Sequence, residues 1–385
     1  MNYKLLIITV LWCLCPTLLS AQGEMPIIAY MGVPNDKTTA QNFKNLSDCG
    51  FNVSLYGYAS LKEMQTACNV ARQYGIRILG HCPETHNSPE VAAAVLKGHP
   101  GFFGYVLKDE PSVEELQESQ KEITRLKRVD NSHCFYINLH PYYADWTLQH
   151  TKTKTYDDYL EAALATSCQQ LSFDFYPITR DGLRNGWFSN LEAFRQKSIQ
   201  SGTPFWGFVL SVPHAVYPQP TKGSLRLQVY SNLAYGAQAI QYYTYWTPPK
   251  ETVNDYHDGP VDANGKKTKT YKLVKKMNQE LRTVSPLFYG AKIVAVNHAD
   301  AVGSRGIIVS QLHSNGQDYL VIVNKDYQRK IKVKTAAIQS LTTDYKALSS
   351  MKSDLLCQVT KELQEKELKG SYTIPSGDIL LFKLK

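Results

Sequence analysis

The feature that most constrains this fold is a regular alternation of strand-like and helix-like segments along most of the chain. The strand-like segments are short and almost continuously apolar, as in Phe102–Leu107, which is typical of parallel strands buried on both faces. The helix-like segments repeat apolar residues every three to four positions, as in Leu61–Tyr74. Eight such pairs in about 260 residues match the usual size of a (β/α)8 TIM barrel. The sequence therefore predicts a barrel over residues 22–290.

The eight predicted strands are Pro26–Gly32, Phe51–Tyr58, Ile76–Cys82, Phe102–Leu107, His133–Leu139, Gln170–Tyr176, Pro204–Val212 and Ala239–Trp246. An open doubly wound sheet is the alternative arrangement of the same elements. It is disfavoured because the chain has neither a GxGxxG nor a P-loop motif, and the same absence predicts no nucleotide cofactor.

The pattern changes after Gly290 to short strand-like segments such as DYLVIVNK and ILLFKL. Turn-forming sequences separate them, among them Ser314-Asn315-Gly316 and Pro375-Ser376-Gly377. Residues 291–385 are therefore predicted to form a small all-β sandwich domain.

The N-terminus has the pattern of a secretory signal peptide. Lys4 precedes the apolar run Leu5–Leu14, and Leu19-Ser20-Ala21 is suitable for cleavage. The apolar run is short for a membrane span. Residues 1–21 are predicted to be removed, which leaves an exported chain without a transmembrane segment; retention as an N-terminal anchor is the alternative.

Composition narrows the possible partners. Tyrosine is abundant, with 25 residues, and its flat ring with a hydroxyl suits sugar binding as well as ordinary packing. The basic stretches 266–276 and 325–334 indicate solvated surfaces or contact with an acidic polysaccharide. Nucleic acid is not an expected partner because an exported chain without a binding motif has no reason to meet it. The sequence does not predict an oligomeric state.

Polar and aromatic residues lie where the predicted strands end, and in a barrel these ends share one rim. The residues predicted to line this rim are His81, Asp109, Glu110, Asn138, His140, Asp174, Tyr176, His214, Tyr243, Tyr245 and Trp246. Acids, histidines and aromatic rings around one opening favour a carbohydrate substrate.

Glycoside hydrolysis needs two carboxyl groups, one to protonate the leaving oxygen and one to attack or to activate water. Glu110 is the predicted acid because it ends strand 4, and the like charge of Asp109 beside it raises the pKa of the less solvated group. Asp174, two strands away, is the first choice for the second carboxylate, with Asp109 behind it. Ser112 and Glu115 then predict a capping box for the next helix.

Each of these residues also has an ordinary structural explanation. An Asp-Glu pair before a helix complements the helix dipole, and Asp174 is suited to anchoring a loop. The three histidines are suited to structural or substrate-orienting roles. The Tyr-Tyr-Thr-Tyr-Trp run is suited to wall packing, although alternate side chains of a strand face inward, which favours a binding role for Trp246.

The segment GYVLKDEP resembles the fourth strand of clan A glycoside hydrolases, which include the family 42 β-galactosidases; SFDFYP and QYYTYW resemble strand 6 and strand 8 segments of barrel glycosidases. The C-terminal strands are similar to the domain that often closes such enzymes. The resemblance implies that Glu110 is the acid/base. Asp109 replaces the usual asparagine, and the family's nucleophilic glutamate of strand 7 has no counterpart in Gly207–His214.

Three hypotheses follow. The first is an exported glycosidase, and the second is a catalytically silent barrel that binds glycan. The third is a metal-dependent hydrolase or lyase that would use His81, Glu110, His140, Asp174 and His214. It is disfavoured, and no metal is predicted, because the chain lacks the HxH pair common on metal-binding strands.

Overall fold

A computed structural model describes residues 23–143, 145–299, 306–334, 355–358, 365–366 and 370–384. The predicted signal peptide lies outside these residues. Eight parallel strands close into a barrel in the order β1-β8-β7-β6-β5-β4-β3-β2. The strands are β1 (Ile27–Tyr30), β2 (Val53–Gly57), β3 (Arg77–His81), β4 (Phe102–Asp109), β5 (Cys134–Leu139), β6 (Leu171–Phe173), β7 (Phe205–Leu210) and β8 (Ala239–Tyr243).

Helices connect these strands on the outside of the barrel. They are α1 (Ala40–Asp48), α2 (Leu61–Ala71), α3 (Pro83–Asn87), α4 (Pro89–Leu96), α5 (Val113–Val129), α6 (Asp145–Thr151), α7 (Tyr156–Ala165), α8 (Trp187–Ser201), α9 (Lys222–Tyr235) and α10 (Lys269–Phe288). Several begin at a serine or threonine whose side chain accepts a backbone N–H of the first turn, as at Ser60, Ser112 and Thr155. The capping box of Ser112 and Glu115 is present. In the described part of the chain, none of the helices combines the length and apolarity of a membrane span.

The chain after α10 forms two antiparallel sheets. Its strands are β9 (Lys292–Ala299), β10 (Ile307–Ser314), β11 (Gln317–Asn324), β12 (Ile331–Lys334), β13 (Leu355–Gln358), β14 (Glu365–Lys366), β15 (Ser371–Ile374) and β16 (Ile379–Lys383). The larger sheet has the order β9-β10-β11-β16-β13-β14, and β12 pairs with β15.

The larger C-terminal sheet is buried on both faces. One face, with Leu320 and Phe382, packs on Val333 and Tyr372 of the smaller sheet. The opposite face belongs to the same apolar cluster as the barrel helices, through residues such as Val321. A barrel followed by a small β domain, as the sequence predicts, is therefore confirmed.

Helix α9 forms the junction between the barrel and the β domain. Arg226 of α9 donates to both carboxylate oxygens of Glu280 on α10, at 2.8 and 2.9 Å, and forms an ion pair with Asp378 at 2.7 Å. The backbones also approach closely, because a Cβ atom at Gly223 would lie 2.0 Å from the carbonyl oxygen of Tyr327. Only glycine fits at this position without movement of the β domain.

Two strands end three residues earlier than predicted. Strand β6 covers Leu171–Phe173, and β8 stops at Tyr243. Aromatic residues continue beyond the strand pairing in both places, and an apolar run does not record where pairing stops. The short helices α3 and α6 were not predicted.

Candidate active site

The parallel strands bring the predicted acids to one rim of the barrel. Asp109 is the last residue of β4, and Asp174 directly follows β6. Asn138 lies near the end of β5, the strand that separates them. Their grouping thus follows from the strand order and from the common direction of the strands.

Asp109 is held by hydrogen bonds to both of its oxygens. The Tyr30 hydroxyl donates to Oδ2 at 2.9 Å, and the Asn138 amide donates to Oδ1 at 3.0 Å. Ser172 donates to the other end of the Asn138 side chain at 2.9 Å, which fixes the orientation of the amide. The Asp109 side chain is open to solvent on one side and surrounded by protein on the others. This partial burial raises the pKa of Asp109, and the Asn138 and Tyr30 hydrogen bonds oppose the rise.

Glu110 has an unusual backbone conformation for a residue with a side chain. Its φ of 47° lies in the left-handed region, which costs about 1–3 kcal/mol for non-glycine residues and is found most often at functional sites. The Glu110 N–H donates to the carbonyl oxygen of Asn138 at 2.8 Å. The side chain remains 38% exposed, and its Oε1 lies 3.4 Å from Nδ1 of His140. Glu110 is therefore directed toward solvent at the rim beside a buried imidazole.

Asp174 is the most confined of the three carboxyl groups. Its Oδ1 is buried with no hydrogen-bond partner among the described residues, and its Oδ2 accepts a long 3.5 Å contact from the Tyr176 hydroxyl. Burial raises the pKa of Asp174 well above its usual value, and the charges of Glu110 and Asp109 raise it further. Asp174 thus keeps its proton to a higher pH than an ordinary aspartate, because it is buried and lies within reach of the charges of Glu110 and Asp109.

Apolar and aromatic side chains occupy the position where the family resemblance implies a strand 7 carboxylate. Phe208 of β7 packs against Tyr30 with ring centroids 5.5 Å apart, and Tyr243 lies 5.6 Å from Tyr30. His214 follows β7 but is buried, and burial lowers its pKa. The ring of Tyr176 completes this wall at 5.4 Å from Tyr243.

A cavity of about 590 Å³ opens beside Asp109. Its lining residues are Tyr30, Met31, Leu55, Tyr56, Gly57, His81, His86, Val106, Leu107, Lys108 and Asp109. Burial lowers the pKa of His81 here, and the neighbouring His86 adds to this effect. A larger cavity of about 680 Å³ lies between the loop after β7 and the β domain. The larger cavity contains none of the predicted site residues, whereas the smaller one is lined by Asp109 and His81 but not by Glu110 or Asp174.

Two of the predicted binding residues lie beyond the end of β8. The Tyr245 ring is 1% exposed and packs against Phe51 and Tyr271, between the barrel and its outer helices. Trp246 is 6% exposed and lies against Gly265 of the following loop. The alternation of side chains on which their prediction rests applies within a strand, and β8 ends at Tyr243.

The sequence reasoning also missed residues at the rim. Tyr30 is the last residue of β1 and lies two residues before the end of the predicted first strand, Pro26–Gly32, so a search for rim residues that included strand 1 would have found it. Tyr256 donates to or accepts from the Tyr243 hydroxyl at 2.9 Å, but it comes from a long loop for which no pattern predicts a position. Within the described ranges, no three His, Cys, Asp or Glu side chains are grouped as metal ligands.

The family of β-galactosidases known as glycoside hydrolase family 42 matches residues 120–284. This is less than half of the chain; it includes Asn138, His140 and Asp174 and begins after Glu110. No curated protein matches the sequence.

Solved structures extend the similarity of the fold over most of the chain. A β-galactosidase from Bacillus circulans sp. alkalophilus superposes with a TM-score of 0.60 at 9% identity, covering 94% of this chain and 99% of that one. The α-galactosidase I of Mortierella vinacea gives 0.54 at 10% identity, with 95% and 98% covered.

A β-galactosidase from the psychrophilic Marinomonas ef1 is a longer protein. It has 10% identity and a TM-score of 0.49, and the alignment covers 68% of this chain but only 60% of that enzyme. The closed barrel and the family match over residues 120–284 agree with the resemblance that the motifs predict: this part of the chain is similar to the β-galactosidases of glycoside hydrolase family 42.

Proposed function

We propose that this chain is an exported glycosidase that cleaves an oligo- or polysaccharide with the carboxyl groups of Glu110 and Asp174. The observation that carries the proposal is the convergence of Asp109, Glu110 and Asp174 at one rim of the barrel. β-Galactosides are the first substrates to test, because the matching family is described by that activity.

The two acids have different surroundings, which suits different roles. Glu110 is open to the rim and is placed to protonate a leaving oxygen, the role that the strand 4 resemblance implies. Burial raises the pKa of Asp174, so it keeps its proton to a higher pH than an ordinary aspartate. Ionised, Asp174 is suited to attack the anomeric carbon or to activate water, while Glu110 protonates the leaving oxygen. Asp109, held by Tyr30 and Asn138, is the third carboxyl group, and its charge also raises the pKa of Asp174.

Export is the second part of the proposal. It is supported by the pattern of residues 1–21 described above. Expression of the full chain should yield a mature protein that begins near residue 22, which N-terminal sequencing of the exported fraction would detect. Recovery of only full-length, cell-retained protein would contradict export.

The central test is the Glu110→Gln variant, assayed on a panel of 4-nitrophenyl glycosides with the β-galactoside first. Loss of the acid should reduce kcat/KM by about 10²–10⁴-fold, the usual contribution of general acid–base catalysis. Glu114→Gln is the matched control, because Glu114 lies on the exposed first turn of α5 and pairs with Lys152. Wild-type turnover that survives in Glu110→Gln would contradict the assignment.

A catalytically silent glycan-binding barrel is the second candidate. One observation favours it: the segment Phe205–His214, which covers β7 and the residues after it, contains no carboxylate. This hypothesis predicts that the wild-type protein binds oligosaccharide but hydrolyses none of the aryl glycosides. Turnover by the wild type that depends on Glu110 excludes it.

A further inference from the structure

One tryptophan at the rim differs from the others in the described part of the chain. Trp187, Trp206 and Trp246 are all less than 8% exposed, whereas Trp146 is 54% exposed. It belongs to α6, which follows β5 and was not predicted from sequence. Single exposed apolar side chains are common on protein surfaces, so the feature of Trp146 that matters is its position beside Glu110, together with its exposure.

Trp146 is connected to the carboxylates through two histidines. Its ring stacks on His150 with centroids 5.6 Å apart and an angle of 18° between the planes. The buried His140 contacts both rings from the side, at 5.6 Å from Trp146 and 4.4 Å from His150. The same His140 lies 3.4 Å from Glu110. The exposed indole and Glu110 therefore both contact the same buried imidazole, that of His140.

The stacking with His150 covers one face of the indole. The exposure of Trp146 must then belong to its other face and its edge. The flat apolar face of an aromatic ring suits the C–H face of a sugar, while the rim of polar groups nearby can meet its hydroxyls.

We propose that the open face of Trp146 binds a sugar residue on the leaving-group side of Glu110. The proposal rests on the function proposed above, because the leaving-group side is defined by the acid that protonates the leaving oxygen. It names the substrate as an oligosaccharide with a sugar on both sides of the cleaved bond. The rigid pair of Trp146 and His150 holds that leaving sugar in place while Glu110 donates its proton.

The kinetic test compares two substrates that differ only in the leaving group. β-1,4-Galactotetraose has a leaving sugar, whereas β-galactosyl fluoride releases an ion too small to reach the indole. Trp146→Ala should lower kcat/KM for the tetrasaccharide roughly tenfold through KM, equivalent to about 1.4 kcal/mol. It should leave the fluoride reaction nearly unchanged, and Trp146→Phe should restore most of the loss.

Ile199→Ala is the matched control, because Ile199 of α8 is as exposed as Trp146, at 55%. It should leave both substrates unaffected. Equal losses on both substrates in Trp146→Ala would indicate a merely structural role and would overturn the proposal, as would no loss on either.

A binding measurement separates this proposal from the proposed function. The tryptophan fluorescence of the Glu110→Gln protein should change on addition of β-1,4-galactotetraose, cellotetraose or maltotetraose. The change should be absent in the double variant that carries both Glu110→Gln and Trp146→Phe. This result with no turnover by the wild type would support the binding platform and contradict hydrolysis. Turnover by the wild type with no fluorescence change for any of the three sugars would overturn the platform and retain the glycosidase.

Discussion

At the scale of single residues, the three neighbouring carboxyl groups of the site differ in their hydrogen bonds and in their backbone conformation. Asp109 has two hydrogen-bond donors, while Oδ1 of Asp174 has none among the described residues. Glu110 is held in a left-handed backbone conformation beside them. The confinement of Asp174 therefore raises its pKa well above the usual value.

This difference predicts a pH dependence of stability. Because burial and the neighbouring acids raise the pKa of Asp174, its proton stabilises the folded state below the unfolded pKa of about 3.9. That contribution is lost as the pH rises through the folded pKa. Asp174→Asn should thus raise Tm above the wild-type value by about 2–4 °C at neutral pH, with the difference shrinking toward pH about 4.

Thermal melts across this pH range measure the effect. Asp181→Asn is the matched control, because Asp181 lies in an exposed turn close to Asp174 along the chain. The same pH profile for both variants would show that the confinement of Asp174 has no effect on stability.

The sequence allowed part of this site to be predicted. Asp109, Glu110 and Asp174 could be grouped because the ends of parallel strands share a rim. The sequence could not show that Tyr243 ends β8 whereas Tyr245 is buried beyond it, because this difference depends on where β8 stops. Trp146 was missed since it belongs to a short helix whose position is set by tertiary contacts rather than by a repeating pattern.

At the scale of elements, the start of α5 fixes the chain directly after Glu110. The Ser112 N–H donates to Glu115 at 2.8 Å, and the Ser112 hydroxyl accepts from the Glu115 N–H at 3.4 Å. Two otherwise unpaired groups of the first turn are thereby satisfied. The cap was predictable from sequence because it depends on residues only three positions apart.

Removing this cap should cost stability. Ser112→Ala is expected to lower the free energy of unfolding by about 1 kcal/mol, because it removes the acceptor for the first turn of α5. Ser112→Thr keeps a hydroxyl at the N-cap and should lose less than half as much. Urea denaturation of the two variants measures both losses of stability. Equal losses in Ser112→Ala and Ser112→Thr would show that the hydroxyl does not stabilise the first turn of α5.

At the scale of the whole molecule, the barrel and the β domain are joined through a buried charged group. Arg226 is 5% exposed and lies between Glu280 and Asp378. Burial raises the pKa of Asp378 to about 6, and Arg226 opposes the rise. The sequence predicts two domains but not this contact, because Arg226 and Asp378 lie far apart along the chain and no local pattern connects them.

Arg226→Met should destabilise the protein by about 3–5 kcal/mol, because it leaves Glu280 and Asp378 buried without their partner. The loss should be larger at pH about 8 than at pH about 5, since Asp378, whose pKa rises further without Arg226, is neutral at the lower pH. Lys222→Met is the control: Lys222 is 44% exposed and contacts Glu280 at 3.2 Å, so its removal should cost less than about 1 kcal/mol.

Denaturant unfolding at both pH values measures these changes. Similar losses of stability in Arg226→Met and Lys222→Met would show that burial of the charged group is not what makes this junction important. A loss in Arg226→Met that does not depend on pH would contradict the role given to Asp378.

The missing side chain at Gly223 has a consequence for how the molecule can be altered. At Gly223, in the first turn of α9, the helix backbone contacts the backbone of the β domain directly. Any larger residue at this position would therefore push the β domain away from the barrel. A single methyl group at this contact would therefore separate the barrel from the β domain without changing any of the three acids, and would distinguish a protein that needs its two parts joined from one whose barrel works alone.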